Sequence, residues 1–312
     1  MERNLESCPT FIISLDTELI WGYVRYPQDR VVKLLSEDKS KGRRSTDILL
    51  KLFDKYHIPA TWATVGHLFL DHCEDNNGIL HRDMPRFEED WYSSDPGTNI
   101  QHDPLFYGKD FLEKIQSSKI AHEIGYHTFS HVPFSECSRE VAKAEIAKSV
   151  EIGKEWEIDF KSFVFPEHKV GHLDVLRDYG FMVYRGSCIS DKPANQSRLA
   201  WAPSFALSKI IPPFAEPVLR DGIWEIPASM YFYDSLFPSL LQSTLALRAK
   251  TGLRQAVRRG KFFHVYLHPE NLLMQPSLAN KLDEFLAYVA KCRDNGNLKV
   301  ATMGEAAAQL EV

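Results

Sequence analysis

Short apolar runs alternate with longer segments of helical periodicity along most of this chain. Apolar residues that recur at intervals of three and four predict amphipathic helices, and short apolar runs bounded by turn residues predict buried strands. We predict strands at residues 11–14, 60–65, 122–126, 162–165, 181–184, 224–226, 262–267 and 299–302. We predict helices at residues 45–56, 109–115, 138–156, 173–179, 238–258, 277–292 and 304–310. Strands that alternate with helices indicate a mostly parallel sheet, and about seven such units favour an α/β barrel over an open sheet.

One segment, residues 67–108, interrupts this alternation of strands and helices after the second strand. It has no clear periodicity and is rich in acidic and aromatic residues, among them Trp91 and Tyr92. Because loops that follow barrel strands line the catalytic face, we expect an insertion there that covers the substrate. A surface elaboration or an oligomer contact is the alternative. No linker divides the chain, so residues 1–312 are expected to form a single domain that carries this insertion.

The composition excludes several classes of function. Lys and Arg total 37 against 42 Asp and Glu, so the net charge is −5 and no basic field is present for nucleic acid or an anionic membrane surface. No run approaches the roughly 18 apolar residues of a membrane span. The N-terminus carries charges where a secretory peptide is apolar, and the five cysteines are scattered without a CxxC pair. We therefore expect a cytoplasmic protein without a disulfide framework.

A pair of histidines follows the third predicted strand. His127 and His131 are four residues apart, and on one turn of helix they would face the same side and could chelate one cation. A pair of hydrogen-bonded structural histidines is the alternative. A second pair with this spacing, His168 and His172, is interpreted as two loop residues.

Two carboxylates and a further histidine follow other strands. Asp16 and Glu18 lie two apart at the end of the first strand, so in an extended chain both side chains point the same way. One could bind a metal while the other takes a proton from the water that the metal activates. His268, at the end of a late strand, could protonate a leaving nitrogen. A loop or capping role for the carboxylates and a buried structural role for His268 are the alternatives.

Taken in order, these motifs resemble those of the polysaccharide deacetylases, the NodB-homology group of carbohydrate esterases. Ser14-Leu15-Asp16-Thr17-Glu18 resembles the family's acidic first motif, and Glu123-Ile124-Gly125 precedes a full His-(Ser/Thr)-x-x-His match from His127 to His131. Tyr266-Leu267-His268-Pro269 is similar to the last motif, and Ile58-Pro59-Ala60-Thr61-Trp62 to the second strand. The resemblance extends over roughly residues 10–303.

The resemblance implies a distorted (β/α)7 barrel and metal-dependent N-deacetylation. It implies that Asp16 is the general base and that His268 is the general acid. It further implies that Glu18, His127 and His131 bind one divalent ion, for which we expect Zn²⁺, although two histidines and a carboxylate also accept other divalent ions.

This sequence departs from the family pattern in the charges around the site. The metal carboxylate is usually Asp and is here Glu18. The third motif usually supplies an Arg that pairs with the base, but the segment from Phe163 to Lys169 keeps only Pro166. Lys169 or Arg185 could supply the missing charge, the backbone amides after Pro166 could help to bind an oxyanion, and Asp191 could orient His268.

Three functions stay open from the sequence. The first is removal of an N-acyl group, expected to be acetyl, from an amino sugar or a saccharide precursor by a metal-activated water. The second is hydrolysis of another amide, including a cyclic one, and the third is a non-catalytic sugar-binding barrel. Trp91, Tyr92 and Trp224 could stack on a sugar ring, although large aromatic residues more often belong to the core.

Overall fold

The computed structural model describes residues 8–73, 75–76, 79–188, 210–233 and 244–310. The strands are β1 (Thr10–Thr17), β2 (Thr61–Thr64), β3 (Asp75–Asn76), β4 (Ile79–Leu80), β5 (Glu123–Tyr126), β6 (Ser162–Val164), β7 (Val183–Cys188), β8 (Val218–Arg220), β9 (Ile223–Ala228), β10 (Met230–Tyr231), β11 (Phe262–Leu267) and β12 (Lys299–Val300). The helices are α1 (Arg30–Glu37), α2 (Lys41–Tyr56), α3 (Lys109–Gln116), α4 (Arg139–Trp156), α5 (Leu173–Asp178), α6 (Leu245–Arg259), α7 (Asn271–Met274), α8 (Leu278–Asp294) and α9 (Met303–Ala308).

The main sheet is parallel along most of its length and curls back on itself. Its strands follow the order β11-β1-β2-β5-β6-β7-β9, and all of these neighbours pair in parallel. β9 and β10 are separated only by Ser229, whose amide donates to the His264 carbonyl at 2.7 Å, and β10 pairs in parallel with β11. Residues 223–231 therefore form one continuous stretch that pairs with β7 through β9 and with β11 through β10. This is the arrangement of the predicted distorted (β/α)7 barrel with an antiparallel edge strand, β8.

The first strand shows how the sequence divides between the two sides of the sheet. All eight residues of β1 are buried. Phe11, Ile13 and Leu15 belong to the large cluster that includes the surrounding helices, whereas Ile12 belongs to a separate cluster with the α9 residue Met303. Because side chains alternate along a strand, Asp16 faces the same side as Ile12, inside the barrel. Alternation thus places the Asp16 carboxylate inside the barrel, near the carboxyl end of β1.

Most predicted elements are present within a few residues of their predicted ends. The helix predicted at 238–258 is described only from Leu245 onward, and its first part lies outside the described residues. Helix α1, the short strands β3, β4, β8 and β10, and helix α7 were not predicted. None of the helices within the described ranges is long and apolar enough to span a membrane. All five cysteines lie in the described ranges, and none forms a disulfide bond.

Candidate active site

The five side chains singled out in the sequence lie together at one end of the barrel. Asp16 is the last but one residue of β1, and Glu18 follows that strand. His127 follows β5, and His268 follows β11. The carboxyl ends of parallel strands meet at one rim, which is where α/β barrels place their functional groups. The strand order therefore brings these distant residues into contact.

Glu18, His127 and His131 form a compact group of metal-ligand type. Glu18 Oε1 lies 3.0 Å from His127 Nε2 and 3.3 Å from His131 Nε2, and all three side chains are buried. His127 Nδ1 donates to the Val164 carbonyl at 2.7 Å. In the neutral ring, Nε2 then carries a lone pair that faces a carboxylate oxygen, and the two repel unless a cation lies between them. The residues present therefore fit a divalent cation.

The two histidines are not held by a helical turn, contrary to the prediction from their spacing. The segment is an irregular bend with left-handed backbone at Thr128 (φ 58°) and His131 (φ 64°). Glu145 of α4 fixes the bend, since its Oε2 accepts from the amides of Phe129 (2.8 Å) and Ser130 (2.9 Å). Its Oε1 accepts from Ser130 Oγ at 2.7 Å. These bonds satisfy two buried amides of the irregular backbone.

Glu18 fits because the neighbouring residue has no side chain. A Cβ placed on Gly22 would lie 1.6 Å from Glu18 Oε2 and 2.6 Å from its carboxyl carbon. Gly22 lies in a 3-10 turn, Trp21–Tyr23, directly after the acidic motif. The space left by Gly22 accommodates the methylene by which Glu18 exceeds the usual Asp.

Arg185 supplies the charge beside Asp16, and Lys169 does not. Arg185 Nη1 and Nη2 donate to the two carboxylate oxygens of Asp16 at 2.5 and 2.6 Å, and the guanidinium is fully buried. Lys169 Nζ instead lies 2.8 Å from Glu136 Oε1 and is half exposed. Burial raises the pKa of Asp16, but the charge and hydrogen bonds of Arg185 outweigh it and hold that pKa well below its usual range. Asp16 is therefore ionised at neutral pH.

His268 lies against both carboxylates. Its Nε2 is 3.4 Å from Glu18 Oε1 and 3.7 Å from Asp16 Oδ2, while Nδ1 is 3.2 Å from the Tyr231 hydroxyl. Burial lowers the pKa of His268, but the two carboxylates outweigh it and raise that pKa to about 9. Tyr231 thus lies beside Nδ1; Asp191, the candidate that the sequence offered for orienting this ring, lies outside the described residues.

A cavity of about 290 Å³ opens above the Glu18 and His268 side chains. Beyond the site residues, it is lined by Tyr23, Tyr26, Asp29, Phe165, Glu167 and His168. His168, interpreted from the sequence as a loop residue, ends the short turn Pro166–His168 and lines the cavity. Its Nε2 lies 3.2 Å from the Tyr266 hydroxyl. The amides of His168 and Lys169 donate to the carbonyls of Phe165 and Pro166 and so serve the turn rather than the cavity.

The aromatic residues considered for sugar stacking are not part of this cavity wall. Trp91 and Tyr92 are buried, and Trp91 Nε1 and the Tyr92 hydroxyl donate to Ser130 Oγ at 2.9 and 3.3 Å. Trp224 packs, half-buried, beside the cluster that contains Ile12. The aromatic side chains that line the cavity are Tyr23, Tyr26 and Phe165 instead.

The family model described as polysaccharide deacetylase matches residues 25–182 of this chain, about half of its length. The chain belongs to the polysaccharide deacetylase family. No curated protein matches the sequence.

Solved structures share the fold of this family member at low identity. A protein from Mycobacterium smegmatis described as a polysaccharide deacetylase is 14% identical with a TM-score of 0.59, and the match covers 100% of this chain and 93% of that one. One from Pseudomonas aeruginosa PAO1, with the same description, is 13% identical (TM-score 0.58; coverage 97% and 91%). A PuuE allantoinase is 14% identical (TM-score 0.60; coverage 98% and 91%). At these identities the likeness shows the fold alone.

Four residues around this deacetylase-family site were missed, or left undecided, from the sequence: Gly22, Glu145, Arg185 and Tyr231. Glu145 and Gly22 gave no signal, because each acts on a residue that only the folded chain brings near. Arg185 was one of two choices, named because it follows the strand predicted at 181–184, and the structure places it within β7. A buried charge requires a partner, and Asp16 is that partner.

Proposed function

We propose that this chain is a metal-dependent hydrolase that removes the N-acetyl group from an amino sugar. The observation that carries the proposal is the combination of an ionised carboxylate, Asp16, with the Glu18–His127–His131 group beside it. His268 lies across from both carboxylates at the floor of the cavity. Amide hydrolysis needs a base, a stabiliser of negative charge and an acid for the leaving nitrogen, and these groups supply all three.

Glu18, His127 and His131 would hold the ion, for which we propose Zn²⁺. When bound, a divalent cation there lowers the pKa of a water molecule and polarises the acyl carbonyl. The chain's own contribution is orientation. The Val164 carbonyl fixes the tautomer of His127, and Glu145 fixes the bend that carries His131.

Asp16 acts as the base in this proposal. Arg185 holds both of its oxygens in place, and each oxygen keeps a second lone pair with which to accept a proton from the attacking water. The buried guanidinium balances the charge of the carboxylate until the proton arrives. Arg185 therefore acts through Asp16 and does not touch the substrate.

His268 acts as the acid. Its Nε2 faces the two carboxylates, and the negative charge of Asp16, which the ion does not bind in this proposal, raises the pKa of His268 and so favours a proton on that ring. The tetrahedral carbon formed by water addition collapses when the nitrogen leaves, and His268 gives that nitrogen its proton. Tyr231 keeps the ring oriented through Nδ1.

The cavity fits one sugar residue rather than several. Its volume of about 290 Å³ is at the lower end of the usual range for small-molecule pockets, roughly 300–1,000 Å³. Tyr26 and Glu167 at its edge form a hydrogen bond at 3.2 Å and present polar groups to sugar hydroxyls. We propose that residues 1–312 act as a single domain with the 67–108 insertion at the catalytic face, where Trp91 and Tyr92 contact the histidine bend through Ser130.

Acetate release from a panel of N-acetylated mono- and disaccharides tests the proposal. We expect activity in the wild type, loss with a chelator, and a loss of about 10²–10⁴-fold in Asp16→Asn with its metal content retained. His172→Ala, in a residue that binds the Cys137 carbonyl away from the cavity, is the control and should behave as wild type. No acetate from any sugar by a metal-loaded protein would contradict the proposal.

A further inference from the structure

A second cluster of metal-ligand type lies inside the 67–108 insertion, apart from the site described above. It comprises His67, Cys73, His81 and Asp95, and their ligand atoms all lie within 4.8 Å of one another. His67 and Asp95 are fully buried, and the His81 side chain is 10% exposed. We propose that this cluster binds a structural zinc ion that fixes the insertion to the barrel.

The distances within the cluster match a single tetrahedral site. His67 Nε2 lies 2.9 Å from both Cys73 Sγ and Asp95 Oδ2, and His81 Nε2 lies 2.9 Å from Asp95 Oδ2. Cys73 Sγ is 3.5 Å from His81 Nε2 and from Asp95 Oδ2. Around zinc, with bonds of about 2.0–2.3 Å, tetrahedral ligand atoms lie about 3.3–3.6 Å apart. Small outward shifts of the side chains would open the group to that size.

A hydrogen bond to a residue outside the cluster orients the His67 ring so that Nε2 faces the other ligand atoms. His67 Nδ1 donates to the Phe106 carbonyl at 3.0 Å, so in the neutral ring Nε2 carries a lone pair. That lone pair faces a carboxylate oxygen of Asp95 at 2.9 Å, a repulsive contact that a cation would make attractive. Complete burial disfavours the alternative, a charged imidazolium. His127 and Glu18 in the candidate active site show the same arrangement.

The types of ligand atom in the cluster favour zinc. One thiolate, one carboxylate and two neutral imidazoles balance the charge of a divalent ion, and four protein ligands close the coordination sphere, as structural zinc sites require. The active-site group, by contrast, has three ligands and opens to a cavity. The second site therefore takes a structural rather than a catalytic ion.

The position of the cluster indicates a structural role for the ion. In the described part of residues 70–108, the only regular strands are β3 and β4, of two residues each. An ion bound by residues 67, 73, 81 and 95 would cross-link this segment to the end of β2 and restrict its unfolded states. The Phe129 ring lies 5.7 Å from the His67 ring and 5.3 Å from the His81 ring. The cross-link thus supports the bend that carries His127 and His131.

Metal analysis of the purified full chain, loaded with Zn²⁺ and freed of excess, tests this inference. We expect two zinc ions per chain in the wild type, one in His127→Ala and one in Cys73→Ser. Loading with Co²⁺ separates the sites, because only the second has a sulfur ligand. The thiolate-to-cobalt charge-transfer band should appear in the wild type and in His127→Ala and be absent from Cys73→Ser.

Two control variants are matched to the cluster. His72→Ala changes an exposed neighbour of Cys73, and Cys137→Ser removes another half-buried thiol. Both should keep two zinc ions and the cobalt band. The inference is overturned if cobalt-loaded wild type shows no charge-transfer band, a result that does not depend on whether any variant folds. It is also overturned if Cys73→Ser binds as much zinc as the wild type.

Discussion

At the scale of single residues, the pair formed by Asp16 and Arg185 sets the protonation of the proposed base. Arg185→Gln removes the guanidinium charge, which holds the pKa of Asp16 low against the effect of burial. The pKa of Asp16 should therefore rise. Because activity is lost when the base is protonated, the acidic limb of the kcat/KM profile should move to higher pH. A pH profile of acetate release measures this shift.

Arg177→Gln is the control for that profile, since Arg177 is exposed and its guanidinium bonds to Asp178 and the Asp221 carbonyl, away from Asp16. Arg185→Lys should shift the limb less than Arg185→Gln, because it keeps a charge but loses the two-point contact. An acidic limb that stays in place in Arg185→Gln would refute the role of this residue.

The Glu18 carboxylate occupies space that a side chain at Gly22 would fill. Gly22→Ala places a methyl group where the Glu18 carboxylate now lies, so we expect a loss of zinc affinity of at least tenfold. Shortening the acid should relieve the clash, and Glu18→Asp combined with Gly22→Ala should bind zinc more tightly than Gly22→Ala alone. Zinc titration of the three proteins measures the effect. A double variant that binds no better than the single one would show that the space at Gly22 is not what matters.

At the scale of elements, helix α4 and the histidine bend are joined by one side chain. Glu145→Ala removes the acceptor for the amides of Phe129 and Ser130, so we expect a loss of stability of about 2–4 kcal/mol and weaker zinc binding. Glu155→Ala, on the exposed side of the same helix, should change neither. Denaturant unfolding and zinc titration provide the measurements. Unchanged zinc affinity in Glu145→Ala would mean that the bend holds its shape by itself.

The elements themselves were largely predictable, because each depends on a local pattern. The apolar run of β1 and the apolar side of α2 are present in the sequence itself, and so is Ser138, which caps α4 by accepting from the Val141 amide at 3.2 Å. The histidine bend was predicted wrongly as a helical turn. Its backbone is determined by Glu145, fourteen residues after His131, and a local pattern carries no information about such a contact.

At the scale of the whole molecule, a buried acid makes stability depend on pH. Glu270 is 1% exposed, and burial, with repulsion from Glu18, raises its pKa to about 8 from the ordinary value of 4.5. Between these values the folded protein keeps a proton that the unfolded chain has released, so stability falls as pH rises. Glu270→Gln stays neutral and should lose less stability from about pH 5 to pH 8.

Denaturant unfolding over that pH range checks this prediction, with the exposed Glu155→Gln as the control. The control should have the slope of the wild type, and Glu270→Gln a shallower one. Equal slopes in all three proteins would show that Glu270 does not hold a proton in the folded state.

The sequence predicts that the site residues lie at the ends of parallel strands. It does not predict which polar and charged groups pair with one another there. The order of the motifs placed Asp16, His127 and His268 at one rim, because parallel strands share an edge. The partner of Asp16 depends on β7 facing β1 across the barrel interior, and the partner of His268, Tyr231, depends on the short strand β10. Both are long-range consequences of barrel closure that no single motif encodes.

Metal reconstitution shows whether a metal site built by Glu18, His127 and His131 hydrolyses an N-acetyl group. The protein is stripped with a chelator and titrated with Zn²⁺ while acetate release from an N-acetylated amino sugar is followed. We predict that activity returns with added zinc in the wild type and not in His127→Ala. Full acetate release by the stripped wild type, or equal recovery in His127→Ala, would contradict the account.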